Sequence, residues 1–375
     1  MQLEFQNDIA AYENPDYLKR QLITYLGNKR SLLPEIEETV LAARTSLGGR
    51  RLRACDVFAG SGVVSRMLKQ HSELLISNDF EPYAACIARA YLSNSSEVNL
   101  SELGEIIQKL NGLVDGNEGP SGFIREMYAP LDDTDIKPGE RVFYSSENAR
   151  RLDAYAQLIR EERPEVQDLL MAPLLSAASI HANTGGVFKG FYKDKNGNGC
   201  FGGSGRDALQ RILNPIRLEL PVLSNFESEC IVYQQDAADL PSSLPELDYV
   251  YLDPPYNQHP YGSNYFMLNH VYKYERPVNV SEVSGIPTDW QRSDYNKKSA
   301  SLAALTKLVE SLPSRYIVLS FSNDGFLHPD ALFDLFSRFG KAKISNIDYK
   351  TYRASRNLRN RDLQITEHLF VLDRG

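Results

Sequence analysis

Residues 53–79, RACDVFAGSGVVSRMLKQHSELLISND, carry the pattern that decides the fold. Arg53 to Phe58 reads as a short strand that ends in the turn Ala59-Gly60-Ser61-Gly62. A helix-like stretch follows from about Val63 to Gln70, then a second strand from Leu74 to Asp79. Strand, glycine turn, helix and strand make a βαβ unit, the building block of parallel sheet. Outward from it, Ser31 to Ala43 places Leu32, Leu33, Ile36, Val40 and Leu41 on one helical face, and Pro82 to Leu92 reads as the next helix. Buried strands are expected again at Cys230 to Tyr233, Leu247 to Leu252 and Tyr316 to Phe321. Ile344 to Tyr349 and His368 to Leu372 have the pattern of an antiparallel pair.

Between Ser93 and Ser228 the alternation fails. That span holds helix-like pieces, Leu152 to Arg160 and Asp168 to Ile180, and the stretch KDKNGNGCFGGSG, which must be loop or hairpin. The simplest architecture is an α/β sheet domain interrupted by an inserted, partly helical domain.

A chain of 375 residues, 42% hydrophobic and 24% charged, is long enough for two domains and too apolar to stay disordered. Cys55, Cys86, Cys200 and Cys230 form no Cys-x-x-Cys pair, so free thiols in a reducing cytosol are expected. No apolar run reaches the ~20 residues of a membrane span, and the start MQLEFQNDIA lacks the order of a signal peptide, so the expected location is cytoplasmic. The net charge of −8 is carried by Glu97 to Asp168, with sixteen acidic and eight basic residues. Lys189 to Arg217 has six basic and two acidic residues, and Lys350 to Arg361 has five basic and none acidic. Such local patches permit a polyanion partner despite the acidic average, although a lone patch is more often a solvated face.

Asp253-Pro254-Pro255-Tyr256 directly follows LDYVYL. Neither proline can donate a ladder hydrogen bond, so the strand must stop there, at the carboxyl edge where open α/β sheets bind ligands. A carboxylate, a rigid carbonyl and an aromatic face are thereby fixed together. They suit a planar base bearing an amino group: Asp253 and the Pro254 carbonyl accept its two N–H bonds, and Tyr256 stacks on the ring. The bland reading is a Pro-Pro turn with an incidental acid and ring.

In the glycine turn, a dinucleotide fingerprint would need a third glycine where Ser65 stands, and no Lys-Ser or Lys-Thr follows for a triphosphate loop. An adenosine-containing ligand without a pyrophosphate remains, beside the equally available reading of a plain structural turn. Asp79, 19 residues after Gly60, stands where a carboxylate receives ribose hydroxyls, or caps the helix from Pro82. Tyr25-Leu26-Gly27-Asn28-Lys29-Arg30 sets a glycine and two cations at a helix start, a seat for a carboxylate or an ordinary exposed turn. Asp236, after the strand at Cys230 to Tyr233, is a further carboxylate at the same edge.

In combination and in this order, YLGNKRSLL, DVFAGSGVVS, SNDFEPYA and YLDPPYNQHPYGSNYF resemble the Dam-like adenine-specific DNA methyltransferases, which share the DPPY motif. The resemblance covers Tyr25 through Asp79 and Asp236 to the C-terminus. It implies a Rossmann-like S-adenosylmethionine-dependent sheet, divided as 1–92 (cofactor-binding half), 93–228 (inserted target-recognition domain) and 229–375 (catalytic half). The implied cofactor contacts are Tyr25 and Lys29 from the first motif, Phe58, Gly60 and Gly62 along the methionine and adenosine, Asp79 on the ribose and Asp236 on the adenine amine. Asp253, Pro254, Pro255 and Tyr256 match the catalytic loop without departure, whereas Asn28 replaces a glycine of many members. Asn183 to Phe191 (NTGGVFKGF) resembles a segment of the recognition domain in some relatives.

On this reading the reaction is methylation of the N6 amine of a flipped-out adenine in double-stranded DNA, without a metal, as the modification partner of a separate restriction endonuclease. Phosphate contacts are expected from Lys189, Lys193, Lys195, Arg206, Arg211, Arg353, Arg356 and Arg359. The alternatives are methylation of another planar amine (cytosine, RNA, a glutamine amide), a catalytically silent DNA or nucleotide binder, and, more weakly, a dinucleotide-dependent hydride transfer.

Overall fold

The computed structural model describes residues 12–203, 208–290, 292–350 and 364–375. Seven strands form one sheet: β1 (Leu52–Asp56), β2 (Ser72–Asn78), β3 (Glu229–Tyr233), β4 (Leu247–Leu252), β5 (Ser314–Ser322), β6 (Lys341–Lys350) and β7 (Gln364–Asp373). Their spatial order is β3-β2-β1-β4-β5-β7-β6. The first five run parallel, and β7 is antiparallel to both β5 and β6. All the expected strands are present, and the C-terminal antiparallel pair forms as its pattern implied. This is the Rossmann-like sheet.

The chain winds to one side of β1 through β2 and β3, then returns to its other side through β4 and β5. β1 and β4 therefore flank the topological switch point, where a crevice opens beyond the strand ends. Their register pairs Asp56 with Tyr251, so the residues that follow, the glycine turn and Asp253, leave the sheet side by side.

Twelve helices are described: α1 (Leu33–Ser46), α2 (Val63–Lys69), α3 (Pro82–Leu92), α4 (Leu100–Asp115), α5 (Phe123–Tyr128), α6 (Ser146–Glu161), α7 (Pro164–Ile180), α8 (Leu209–Leu213), α9 (Tyr261–Asn264), α10 (Phe266–Lys273), α11 (Ser301–Ser311) and α12 (Pro329–Ser337). The parallel strands are buried on both faces, hence their near-continuous apolar runs. In β4, Tyr249 and Tyr251 pack with α1 and α2, while Val250 and Leu252 pack with α11 and α12.

In the span 93–228 the expected helix-like pieces Leu152 to Arg160 and Asp168 to Ile180 lie within α6 and α7, and α4 and α5 join them. Its helices α4 to α7 share one apolar core with α3 and α10 of the sheet portion, including Tyr83, Tyr91, Leu110, Leu152, Leu170, Leu174 and Leu268. Arg89 of α3 ties the layers together, donating through Nε to Asp168 of α7 at 2.5 Å and through Nη2 to the Tyr272 hydroxyl of α10 at 2.8 Å. The glycine-rich stretch begins as a tight hairpin, with a bridge between Lys193 and Gly199.

Arg66 of α2 positions the segment leading to Tyr25. Its guanidinium is 1% exposed, lies 3.6 Å from the Tyr91 ring centroid, and donates to the carbonyls of Tyr17, Arg20 and Gln21. Arg66→Leu strands these acceptors, and we expect it to lower stability by about 2–4 kcal/mol. Urea unfolding with an unchanged midpoint would show that other contacts hold this segment.

Candidate active site

The glycine turn is held from three directions. Gly60 and Gly62 have φ of +52° and +76°, a backbone region that favours glycine. The Gly60 N–H donates to Asp79 Oδ2 at 2.7 Å, and the Glu81 N–H donates to Asp79 Oδ1 at 2.8 Å. Asp79 thus locks the turn to the end of β2. A Cβ on Gly60 would stand 2.7 Å from Tyr25 Cε1, closer than real Cβ contacts permit. Tyr25 in turn stacks against both Tyr261 and Tyr265, with centroids 4.9 and 4.8 Å away, and those two rings lie 6.0 Å from each other.

At the end of β4 the side chain of Asp253 is half-buried, with Oδ1 2.9 Å from Lys29 Nζ. The Lys29 ammonium also touches Glu367 Oε1 at 3.2 Å and donates to the Gly27 carbonyl at 3.1 Å. Glu367, from β7, accepts from the Ser320 hydroxyl of β5 at 2.5 Å. Burial opposes the charge on Lys29, but Asp253 and Glu367 outweigh it and hold the ammonium well above the usual lysine range. Burial pushes the Asp253 carboxyl up to about 6; Lys29 pulls it down and Glu367 pushes it further up.

Burial likewise raises Asp56 to about 7, Asp79 to about 6 and Glu81 to about 7. Asp56 accepts from Ser65 Oγ at 2.6 Å through Oδ2, while its Oδ1 is buried with no hydrogen-bond partner among the described residues. The Gln235 Nε2 is also buried and unpartnered.

These groups surround one cleft of about 870 Å³. Tyr25, Lys29, Phe58, Gly60, Asp79, Asp236, Asp253 and Pro255 all line it. Asp236 accepts from the Ala238 N–H at 2.9 Å, and Phe58 meets the edge of Tyr295 at 5.1 Å. Gly62 stands just behind, as the N-cap of α2. Pro254 and Tyr256 line an adjoining smaller cavity, where the Tyr256 ring packs at 68° to Phe321.

Sequence reasoning passed over several lining residues: Asn78, Glu81, Gln235, Tyr261, Tyr295 and Asn296. Glu81 and Tyr261 sat inside motifs already quoted and were open to notice. Tyr295 and Asn296 come from an unpatterned polar stretch. Asn296 Nδ2 donates to the Asn257 carbonyl at 2.8 Å and so braces the loop after Tyr256.

Of the basic residues, Lys193 and Lys195 are exposed on the hairpin, and Lys193 lies over the Phe191 ring. Lys189 Nζ is 2.9 Å from His259 Nδ1, which joins the Asn183–Phe191 segment to the loop after Tyr256. The Arg211 guanidinium donates to the carbonyls of Ile180 and Ala182 at the end of α7. Arg206, Arg353, Arg356 and Arg359 lie outside the described residues.

The cleft fits the expected S-adenosylmethionine on its own terms. It offers a cradle that a single Cβ would fill, an unpartnered buried carboxylate oxygen, and carboxyls that burial has left short of cationic partners. A cationic ligand with hydroxyl donors supplies what they lack.

A carboxylate at the switch point beside a glycine-turn cleft places a ligand-binding site at the crevice where open α/β sheets bind nucleotide-like molecules. Residues 25–323 match the model of the D12 class N6 adenine-specific DNA methyltransferases, and the chain belongs to that family. It is an adenine-specific DNA methyltransferase. It is 29% identical to the type II methyltransferase M.NlaIII of Neisseria lactamica, over 94% of this chain and 99% of that protein. M.CviAII of Paramecium bursaria Chlorella virus 1 is 26% identical over 93% and 98%. The modification methylase StsI of Streptococcus sanguinis is 28% identical, with this chain matching 52% of its length.

Gly60→Ala combines the Tyr25 clash with ~1–2 kcal/mol of backbone strain. We expect calorimetric affinity for S-adenosylmethionine to fall about tenfold or more in a folded variant. Wild-type affinity would show that the close approach at Gly60 does not serve the cofactor.

Proposed function

We propose that this enzyme methylates the N6 amine of an adenine extruded from double-stranded DNA, as the modification component of a restriction system whose nuclease is a separate chain. The observation that carries the reading is the position of Asp253: at the tip of β4, facing the cleft of the Gly60 turn, beside a buried ammonium. Tyr25, Lys29, Phe58, Gly60, Gly62, Asp79 and Asp236 would hold S-adenosylmethionine. When bound, it supplies a methyl carbon on a sulfonium, so that the N–C bond forms as the C–S bond breaks and the electron pair stays on sulfur.

With Oδ1 committed to Lys29, Asp253 presents Oδ2 to one amino hydrogen, and the Pro254 carbonyl takes the other. Binding both hydrogens localises the nitrogen lone pair, which in adenine is delocalised into the ring, and stabilises positive charge developing there. The alkylated nitrogen then sheds one proton, for which Asp253 is the acceptor at hand. Extrusion of the base costs a few kcal/mol, offset in part by stacking, a task assigned here to Tyr256.

Residues 93–228 are proposed to read the DNA. The exposed Lys193 and Lys195, with Lys189, are the described candidates for phosphate contact. Arg353, Arg356, Arg359 and Arg206 are retained from the sequence as further ones, and the same role for Arg211 would have to coexist with its two carbonyl bonds.

Asp253→Ala is expected to abolish tritiated methyl transfer to duplex DNA while cofactor affinity stays within about threefold, since Lys29 keeps Glu367. Digestion of the wild-type product to nucleosides should yield N6-methyl-2′-deoxyadenosine; label on deoxycytidine, or none, overturns the reading. Because the acceptor must be ionised and its pKa is raised to about 6, single-turnover rates should fall as pH drops through about 6. Separately, Lys193→Ala with Lys195→Ala should reduce the log–log salt slope of DNA binding by about 2. An unchanged slope removes both from the phosphate contacts.

A further inference from the structure

The family match ends at residue 323, yet the charge cluster at the reaction centre is completed from beyond it, by Glu367 on β7. The antiparallel register sets Glu367 opposite Ser322 and diagonal to Ser320, at the carboxyl end of β5 and next to the tip of β4. Its side chain is 1% exposed. A carboxylate so deep requires partners, and two of them are functional in placement: the Ser320 hydroxyl at 2.5 Å, and the Lys29 ammonium at 3.2 Å, itself 2.9 Å from Asp253. One buried ammonium is thus divided almost evenly between two carboxylates, only one of which faces the cleft.

We propose that Glu367 is a positioning residue for methyl transfer: by taking a share of Lys29 it keeps that ammonium from pairing fully with Asp253, and so sets how strongly Asp253 accepts from the target amine. The proposal rests on the reading of Asp253 given above.

The physical argument is one of competing charges. An acceptor wholly neutralised by an adjacent ammonium is a weak base toward an N–H, and one stripped of that ammonium would be held as a neutral acid in so buried a place. Sharing Lys29 puts Asp253 between these limits. Among the described residues the other ionisable groups acting on Asp253 and Lys29 are Asp56 from β1, Tyr251 from β4, Tyr256 from the loop after β4 and Tyr261 from α9. Burial raises all three phenols, so they stay neutral across the working range. Asp324, after β5, acts on Tyr256. His368, the next residue of β7, is paired instead with Asn346 at 2.8 Å.

Glu367→Gln keeps the shape and removes the charge. Lys29 then belongs to Asp253 alone and a like charge is lost, and both changes favour the Asp253 carboxylate. In full-length enzyme we expect the acid limb of the single-turnover pH profile to move down by about one unit, the plateau rate to fall severalfold, and calorimetric affinity for S-adenosylmethionine to hold. A purely structural role would lower the melting temperature and leave the limb in place. An unmoved limb in a folded, active variant overturns the proposal.

Should the glutamine variant not fold, Glu367→Asp, which keeps the charge but withdraws it by one methylene, is read in its place. A smaller downward displacement supports the proposal, and none overturns it. Absence of adenine methylation by the wild-type enzyme would instead sink the reading of Asp253, a failure distinct from an unmoved limb.

Discussion

The pairing of β1 with β4 is the constraint on which the site depends. Ala54, Cys55 and Asp56 lie in register with Tyr249, Val250 and Tyr251, strands that nearly two hundred residues separate along the chain. A parallel register aligns strand ends as well as strand middles. The left-handed turn at Gly60 and the Pro254-Pro255 stop therefore open into the same space, and a one-residue slip would carry Asp253 to the opposite face of the sheet.

Around that opening the dominant physics is desolvation. Asp56, Asp79, Glu81 and Asp253 are all raised above the ordinary carboxylate range by burial, with a single ammonium, Lys29, among the described residues lining the cleft. Such a site is poor in positive charge and rich in acceptors, the complement of a cationic methyl donor and of an amine that becomes cationic as it reacts. No helix among the described residues is long and apolar enough to cross a membrane, and no cluster of three or more His, Cys, Asp or Glu side chains there is placed to hold a metal.

The helical span 93–228 does not stand apart from the sheet. It shares an apolar core with α3 and α10, and α10 follows directly on the loop of Asp253 to Tyr256 and the Tyr261–Tyr265 stack around Tyr25. Lys189 against His259 adds a polar link across the same seam. The proposed DNA-reading layer is thus packed against the helix that follows the Asp253 to Tyr256 loop.

Local chemistry was legible in the chain itself. Glycines at 60 and 62, where φ is positive, two prolines ending a fully buried strand, and a carboxylate at the end of the next strand are backbone requirements that name their own residues. The amphipathic spacing of Leu103, Ile107, Leu110 and Val114 in α4 was equally readable, though masked by the acidic character of the surrounding span. What only the tertiary structure decided were the encounters across long sequence separations. These are Glu367 reaching Lys29 from the far end of the chain, Tyr295 and Asn296 closing the cleft from an unpatterned loop, and Arg211 turned onto carbonyls of α7. No period or motif announces such contacts, because each depends on strand order and direction, and those are settled by how the whole sheet buries its two faces.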